Sequence, residues 1–340
     1  MNILRILSHL EQVDPEVYGR LDSRRRVFRH LGGWGGRLAV AAAPLALGTM
    51  FNKAYAGATA AQATIAEVLQ FALALENLEA NFYNAGLASA AITGALSANN
   101  LRALNTIRAD ETHHVAFLRG VIAAAPIGGT PISPAATDFD FTGGKGNSGG
   151  PFADVFTNVA TFLAVAQALE DTGVRAYKGS ATDLMANKTV LEAALNIHSV
   201  EARHAARLRT MRRGGPMPAA DRASQVPADP NTPGSSPKSW VSNRDNGGPA
   251  PGATDAVYGP GSPAAGPAST IYFPAEDIVQ QGAANVSLLL TQANLTGLSA
   301  ANAAVAATEA FDEPLDMRTV KTIALTFVKA GTATEAFLRS

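Results

Sequence analysis

The chain has 340 residues, 47% of them hydrophobic and 16% charged, a balance that excludes wholesale disorder and is ample for a packed core in one or two domains. Its formal net charge of -1 hides an asymmetry: the first 56 residues carry 8 basic and 4 acidic side chains and the remainder 19 and 24, so the body is mildly acidic and offers no electrostatic footprint for nucleic acid. There is no cysteine, which excludes disulfide frameworks, thiolate metal sites and thiol nucleophiles and leaves nitrogen and oxygen as the only ligands for a metal.

Residues 1–56 read as a twin-arginine-type export signal or N-terminal anchor. Arg25, Arg26 and Phe28 form an Arg-Arg-x-Phe core, a Gly/Ala-rich apolar run follows, and Ala54, Tyr55 and Ala56 supply a small-x-small cleavage site. The apolar run at 38–51 is shorter than the roughly 20 residues that cross a bilayer. The expectation is an exported protein, periplasmic or at the cell surface, which an uncleaved segment would retain there.

Residues 57–213 read as four long helices. Thr64 and Glu67 form a capping-box pattern, and Ile65, Val68, Leu69, Leu73, Leu75 and Phe82 recur at helical spacing as far as Gly86. The spacing predicts a second helix over 97–125, stopped by Pro126, a third over 154–177 and a fourth over 188–213, ended by Gly214, Gly215 and Pro216. Short connections join the first helix to the second and the third to the fourth, whereas a Gly/Pro-rich stretch over 126–151 joins the second to the third. That connectivity belongs to an all-α, ferritin-like four-helix bundle with one long crossover. Residues 214–270, which hold 11 of the 19 prolines, read as a Pro/Gly-rich extended segment able to wrap over the bundle without a core of its own. Residues 271–340 read as a C-terminal helical extension, with helices over 276–290 and 315–338.

The chemistry lies in an internal repeat. ETHHVAFLR at 111–119 and EARHAARLR at 201–209 share Glu-x-x-His-x-Ala-x-Leu-Arg, and ALENLEANFY at 74–83 aligns with ALEDTGVRAY at 168–177. The order along the chain is Glu76, Glu111-x-x-His114, Glu170, Glu201-x-x-His204. Residues three apart on a helix sit about 60° apart and roughly one turn along it, so a Glu and a His at that spacing reach toward one point. A bundle gathers four such stripes around one volume. Four carboxylates left there alone would repel one another or take up protons, and two divalent cations would balance them. Carboxylate and imidazole suit iron or manganese, and the layout matches the established ligand set of di-iron and di-manganese bundles.

Glu76, Glu111, His114, Glu170, Glu201 and His204 are therefore the candidate ligands of two iron or manganese ions, with Glu111 and Glu201 bridging. A single Glu-x-x-His would read as a solvated helix face; the doubled pattern, each copy preceded by a Glu, carries the reading. Tyr83 and Tyr177 lie two turns beyond the leading glutamates, as hydrogen-bond partners behind the ligands, as electron relays, or as ordinary core residues. Glu79 aligns with Gly173 and is placed behind the ligands or on the surface. Asp171 and Asn77, each next to a leading Glu, are expected to orient a ligating histidine through its distal nitrogen. His113 reads as an exposed neighbour and His198 as a boundary residue. Arg119 and Arg209 read as partners of acids or carbonyls, and Glu309, Asp312, Glu313 and Asp316 as turn and helix-start chemistry.

The segments FALALENLEANFY, IRADETHHVAFLR, LAVAQALEDTGVRAYKG and HSVEARHAARLR resemble the bacterial ferritin-like domain family related to plant desiccation-related proteins, and YFPAEDIVQQG and TEAFDEPLDM are similar to later segments of its bacterial members. The resemblance implies a four-helix bundle with a di-metal centre and leaves the reaction open. The second Glu-x-x-His resembles bacterioferritin-type and di-iron oxidase centres more than iron-storage ferritins, and the long C-terminal extension argues against a storage cage. The expected function is an exported protein that reacts with dioxygen or peroxide, through an oxidase, ferroxidase or peroxide-consuming activity, under oxidative or desiccation stress. The alternative is a non-enzymatic structural or interaction module with a structural or vestigial metal site. Self-assembly through residues 214–340 fits either.

Overall fold

The computed structural model describes residues 63–147, 149–213, 238–262, 273–281, 284–285 and 299–340. The expected export signal, with Arg25, Arg26, Phe28 and the cleavage site, lies outside them, as does about half of the Pro/Gly-rich segment.

Helix α1 spans Ile65–Ala88 and opens on the expected capping box: the Thr64 hydroxyl accepts from the Glu67 N–H, and the Glu67 carboxylate accepts from the Thr64 N–H at 2.8 Å. A short helix, α2 (Ala90–Ala95), leads into α3 (Ala98–Ala123), capped by Ser97. Helix α4 (Val159–Ser180) starts later than the apolar pattern suggests. Turns occupy 151–157, and the Asn158 side chain caps the helix by accepting from the Ala160 N–H at 3.0 Å. Helix α5 (Lys188–Arg212) is capped by Asn187. No helix among the described residues is long and apolar enough to cross a membrane.

Helix α1 packs along α3, and α4 along α5. Helices α1 and α4 are buried on almost every side, whereas α3 buries one stripe, Leu104, Ile107, Glu111, Leu118 and Ile122. The difference follows from composition, since a helix apolar all round needs cover all round and an amphipathic one needs it on one face. The extra cover comes from the crossover and the C-terminal residues. Phe139, in the crossover, pairs with Val328 in an antiparallel bridge, and Phe139, Phe141, Phe152 and Val155 are buried in the core that also holds Phe82 and Phe162. Phe82 stacks on Phe162 with ring centroids 5.0 Å apart and meets Phe141 edge-on at 5.3 Å.

The C-terminal expectations need correction. Residues 276–281 are not helical: a turn leads into β1 (Gln280–Gln281), which pairs antiparallel with β2 (Ala284–Asn285), while 286–290 lie outside the described residues. The single helix expected over 315–338 is two, α8 (Met317–Ala324) and α9 (Ala333–Arg339), with a 3-10 turn at Leu325–Phe327. The break has a cause: Val328 is held by the bridge to Phe139, and Gly331 adopts φ +79°, which favours glycine. Two further short helices, α6 (Asp255–Tyr258) and α7 (Ala300–Thr308), precede these. Their runs, rich in alanine or only four residues long, give little periodic signal.

Buried arginines tie these segments to the bundle. Arg175 of α4 donates to the carbonyls of Glu313, Val257, Gly259, Pro274 and Pro314 and pairs with Glu276 at 2.8 Å. Arg209 of α5 pairs with Asp171 at 2.5 Å and with Asp245. Val241, Val257, Tyr258, Leu315 and Val320 belong to the same buried cluster as the bundle residues.

Candidate metal centre

Four helices deliver the six predicted side chains to one place. Glu76 comes from α1, Glu111 and His114 from α3, Glu170 from α4, and Glu201 and His204 from α5. The four glutamates are completely buried. His114 Nδ1 lies 3.1 Å from Glu76 Oε2, 3.2 Å from Glu111 Oε2 and 3.5 Å from Glu201 Oε1. His204 Nδ1 lies 2.9 Å from Glu111 Oε1 and 3.1 Å from Glu170 Oε2. Ligand atoms of Glu76, Glu111, His114 and Glu201 all fall within 4.8 Å of one another, as do those of Glu111, Glu170, Glu201 and His204. The side chains of Glu111 and Glu201 are common to both groups.

The tyrosines close the arrangement crosswise. Tyr83 of α1 donates to Glu170 Oε1 on α4, and Tyr177 of α4 donates to Glu76 Oε1 on α1 at 2.5 Å. Each leading glutamate is thus held on one oxygen by a phenol and faces a histidine with the other.

Burial and crowding dominate the electrostatics. Burial pushes Glu76 up to about 8, against the hydrogen bond from His114. Burial, then the charges of neighbouring glutamates, drives Glu79 and Glu201 well above the ordinary carboxylate range. Glu111 goes the other way: burial raises it, but hydrogen bonds from His114 and His204 outweigh burial and hold it at about 2. The histidines, lowered by burial, are carried up to about 10 for His114 and about 11 for His204 by their carboxylate neighbours. The carboxylates thus favour the charged form of both imidazoles, and the cluster as a whole favours positive charge, whether carried by a proton or by a cation.

The donor set fits a metal ion. Among the described residues both oxygens of Glu201 are buried without a hydrogen-bond donor, and buried oxygens in that state call for a partner. A small oxygen- and nitrogen-seeking cation supplies one. Gly173 of α4 leaves the room: a Cβ there would lie 2.6 Å from Glu201 Oε2.

The remaining predicted residues divide. Glu79 is buried, not on the surface. Asp171 does not touch a histidine; it pairs with Arg209 and accepts from Tyr258 at 2.5 Å. Asn77 donates to the Leu73 carbonyl of its own helix. The acid that orients His204 is Asp110, whose Oδ2 lies 3.1 Å from His204 Nε2, so the distal N–H is held and Nδ1 is aimed at the glutamates. Its sequence signal is only that it adjoins Glu111, and the repeat conceals it because Val200 stands at the equivalent position. His113 is exposed, His198 Nδ1 meets the Val174 carbonyl at 2.9 Å, and Arg119 donates to the Ile132 carbonyl. Asp316 caps α8.

Fold and site together define a class: a ferritin-like bundle whose interior holds a carboxylate–histidine cluster able to bind metal. Comparison with protein families agrees, since residues 64–213 match the family described as the ferritin-like domain. No curated protein matches the chain, and no solved structure does.

Proposed function

We propose that the chain is an exported di-iron or di-manganese protein that reacts with dioxygen or peroxide and protects against oxidative or desiccation stress. The observation that supports a dinuclear centre is the overlap of the two ligand groups in Glu111 and Glu201. Glu76 and His114 would serve one ion and Glu170 and His204 the other, with Glu111 and Glu201 reaching both. Such ions, when bound, supply redox equivalents and open positions for a small oxidant. The chain's part is to hold the ligands in place: the phenols of Tyr83 and Tyr177 fix Glu170 and Glu76, and Asp110 fixes His204. Apolar packing around the glutamates keeps bulk water away and leaves their charge for the cations to neutralise. Export is supported by Arg25, Arg26 and Phe28, and a route that carries folded proteins suits a metal loaded before transport.

Reconstitution with iron(II) or manganese(II), followed by metal analysis and stopped-flow mixing with dioxygen or peroxide, tests the reading. Two metal ions per chain and a redox change on mixing are expected. Less than one ion per chain, or no redox change, would overturn it. A structural role is the second reading, favoured by the anchoring of the C-terminal segments through Arg175 and Arg209. It predicts a melting temperature that rises with metal while oxidant consumption stays at background.

A further inference from the structure

The two ends of the bundle are packed differently. Behind Tyr83 the rings of Phe82 and Phe162 fill the interior, with centroids 5.5 and 6.4 Å from the tyrosine ring. Behind Tyr177, its counterpart in the repeat, lies a cavity of about 230 Å³ between the start of α1, the end of α3, the end of α4 and the start of α5. Among the described residues none that lines it is charged, and the lining hydroxyls are those of Tyr177, Ser180 and Thr189. The Tyr177 hydroxyl is already committed to Glu76. Phe117, 45% exposed, marks the open side.

Apolar surface that meets solvent through this open side is unfavourably hydrated, and covering it is favourable by about 25 cal/mol per Å². Water is no remedy, because it would find few hydrogen-bond partners there, while an apolar cavity of about 150 Å³ already takes benzene. The lining also disfavours a charged occupant, which would leave its water without a counter-charge to meet.

We propose that this cavity binds an uncharged apolar small molecule, about the size of an alkylbenzene with a short chain, and presents it to the metal centre across Tyr177. The presentation rests on the metal reading above; the binding does not. The tyrosine ring lines the cavity and its hydroxyl holds Glu76, so an occupant pressing on the ring acts on a metal ligand through one hydrogen bond.

The test is titration of the full-length protein with n-butylbenzene, metal-free and after loading with iron(II). The metal-free protein is expected to bind one molecule saturably by calorimetry. Val190→Trp and Ala193→Trp, two substitutions on α5 at half-buried lining positions, fill the space and are expected to weaken binding about tenfold or more. Leu184→Ala, which enlarges the cavity, is expected to shift preference toward n-hexylbenzene and keeps the proposal testable should either tryptophan variant misfold. Absence of saturable binding to the metal-free wild type overturns the binding site, as do undiminished binding by folded tryptophan variants and an unchanged preference in L184A. Binding by a protein that takes up no iron leaves the cavity standing and removes the metal reading. In the iron-loaded protein the ligand is expected to shift the iron's electronic spectrum, and a spectrum indifferent to saturating n-butylbenzene overturns presentation to the centre.

Discussion

An alanine Cβ at position 173 would stand 2.6 Å from Glu201 Oε2, so there is a steric reason for the repeat to carry Gly173 where α1 carries Glu79. Alanine favours a helix over glycine by about 1 kcal/mol, and the atom it meets is the tip of a flexible side chain. Gly173→Ala is therefore expected to leave the metal-free protein folded and to displace Glu201 from the centre, lowering metal affinity by about tenfold or more, as read by metal titration beside a melting curve. Asp110→Asn removes the carboxylate behind His204 and is expected to weaken metal binding by about 10- to 100-fold in the same titration. Proton linkage has a definite sign here. Glu76 at about 8 and His114 and His204 at about 10 and 11 all bind protons more tightly folded than unfolded, where ordinary values are near 4.5 and 6.5. What they contribute to the metal-free fold is thus complete at low pH. It declines as pH rises from about 4.5 to 8 through Glu76, and from about 6.5 to 11 through the histidines. The metal-free protein is expected to melt lower at pH 9 than at pH 6, a gap that bound metal closes. Because ligation displaces these protons, metal affinity is expected to rise with pH, with acid released into a weakly buffered solution. The six clustered residues were legible because each repeat carries a Glu and a Glu-x-x-His. Asp110 was not, because its partner lies across the bundle on α5 and the second repeat has Val200 in its place.

At the scale of elements, Arg175 decides where the C-terminal segments lie, since a single guanidinium satisfies five carbonyls from three stretches of chain. Arg175→Met keeps the length of the side chain but leaves Glu276 buried without its partner. A loss of about 3–5 kcal/mol in denaturant unfolding is expected, with faster proteolysis within 238–262. The four long helices could be read from the sequence because a capping box opens the first at Thr64 and Gly or Pro residues punctuate the apolar runs at Gly86, Pro126, Gly179 and Gly214. The start of α4 could not be placed so well: the apolar pattern runs back into turns before Asn158, and only the cap fixes the boundary. The expected helix over 315–338 failed for a longer-range reason. Val328 is taken into a bridge with Phe139, and nothing near Val328 in the sequence announces a partner so far away.

Across the whole molecule one buried cluster joins bundle, crossover and C-terminal residues. Phe327 sits in it beside Phe152 and Phe141, at centroid distances of 5.8 and 6.2 Å. Phe327→Ala is expected to destabilise the protein by about 3–5 kcal/mol, as much as a comparable deletion inside the bundle, and a loss near zero in chemical denaturation would show that the C-terminal residues merely rest on the surface. Composition alone could not reveal this cover, because the Pro/Gly-rich stretch that leads to it carries little periodic pattern. The crossed tyrosines bear on the chain's architecture in a different way. Two identical α1–α3 hairpins related by a two-fold axis would offer the same four glutamates, two histidines and two phenols from half the sequence. They would also bring a second Glu79 to the spot where Gly173 leaves Glu201 its space. Joining the halves in one polypeptide lets that position differ between them, leaves one phenol against packed rings and the other against open volume, and so gives the two sides of the cluster unlike neighbours.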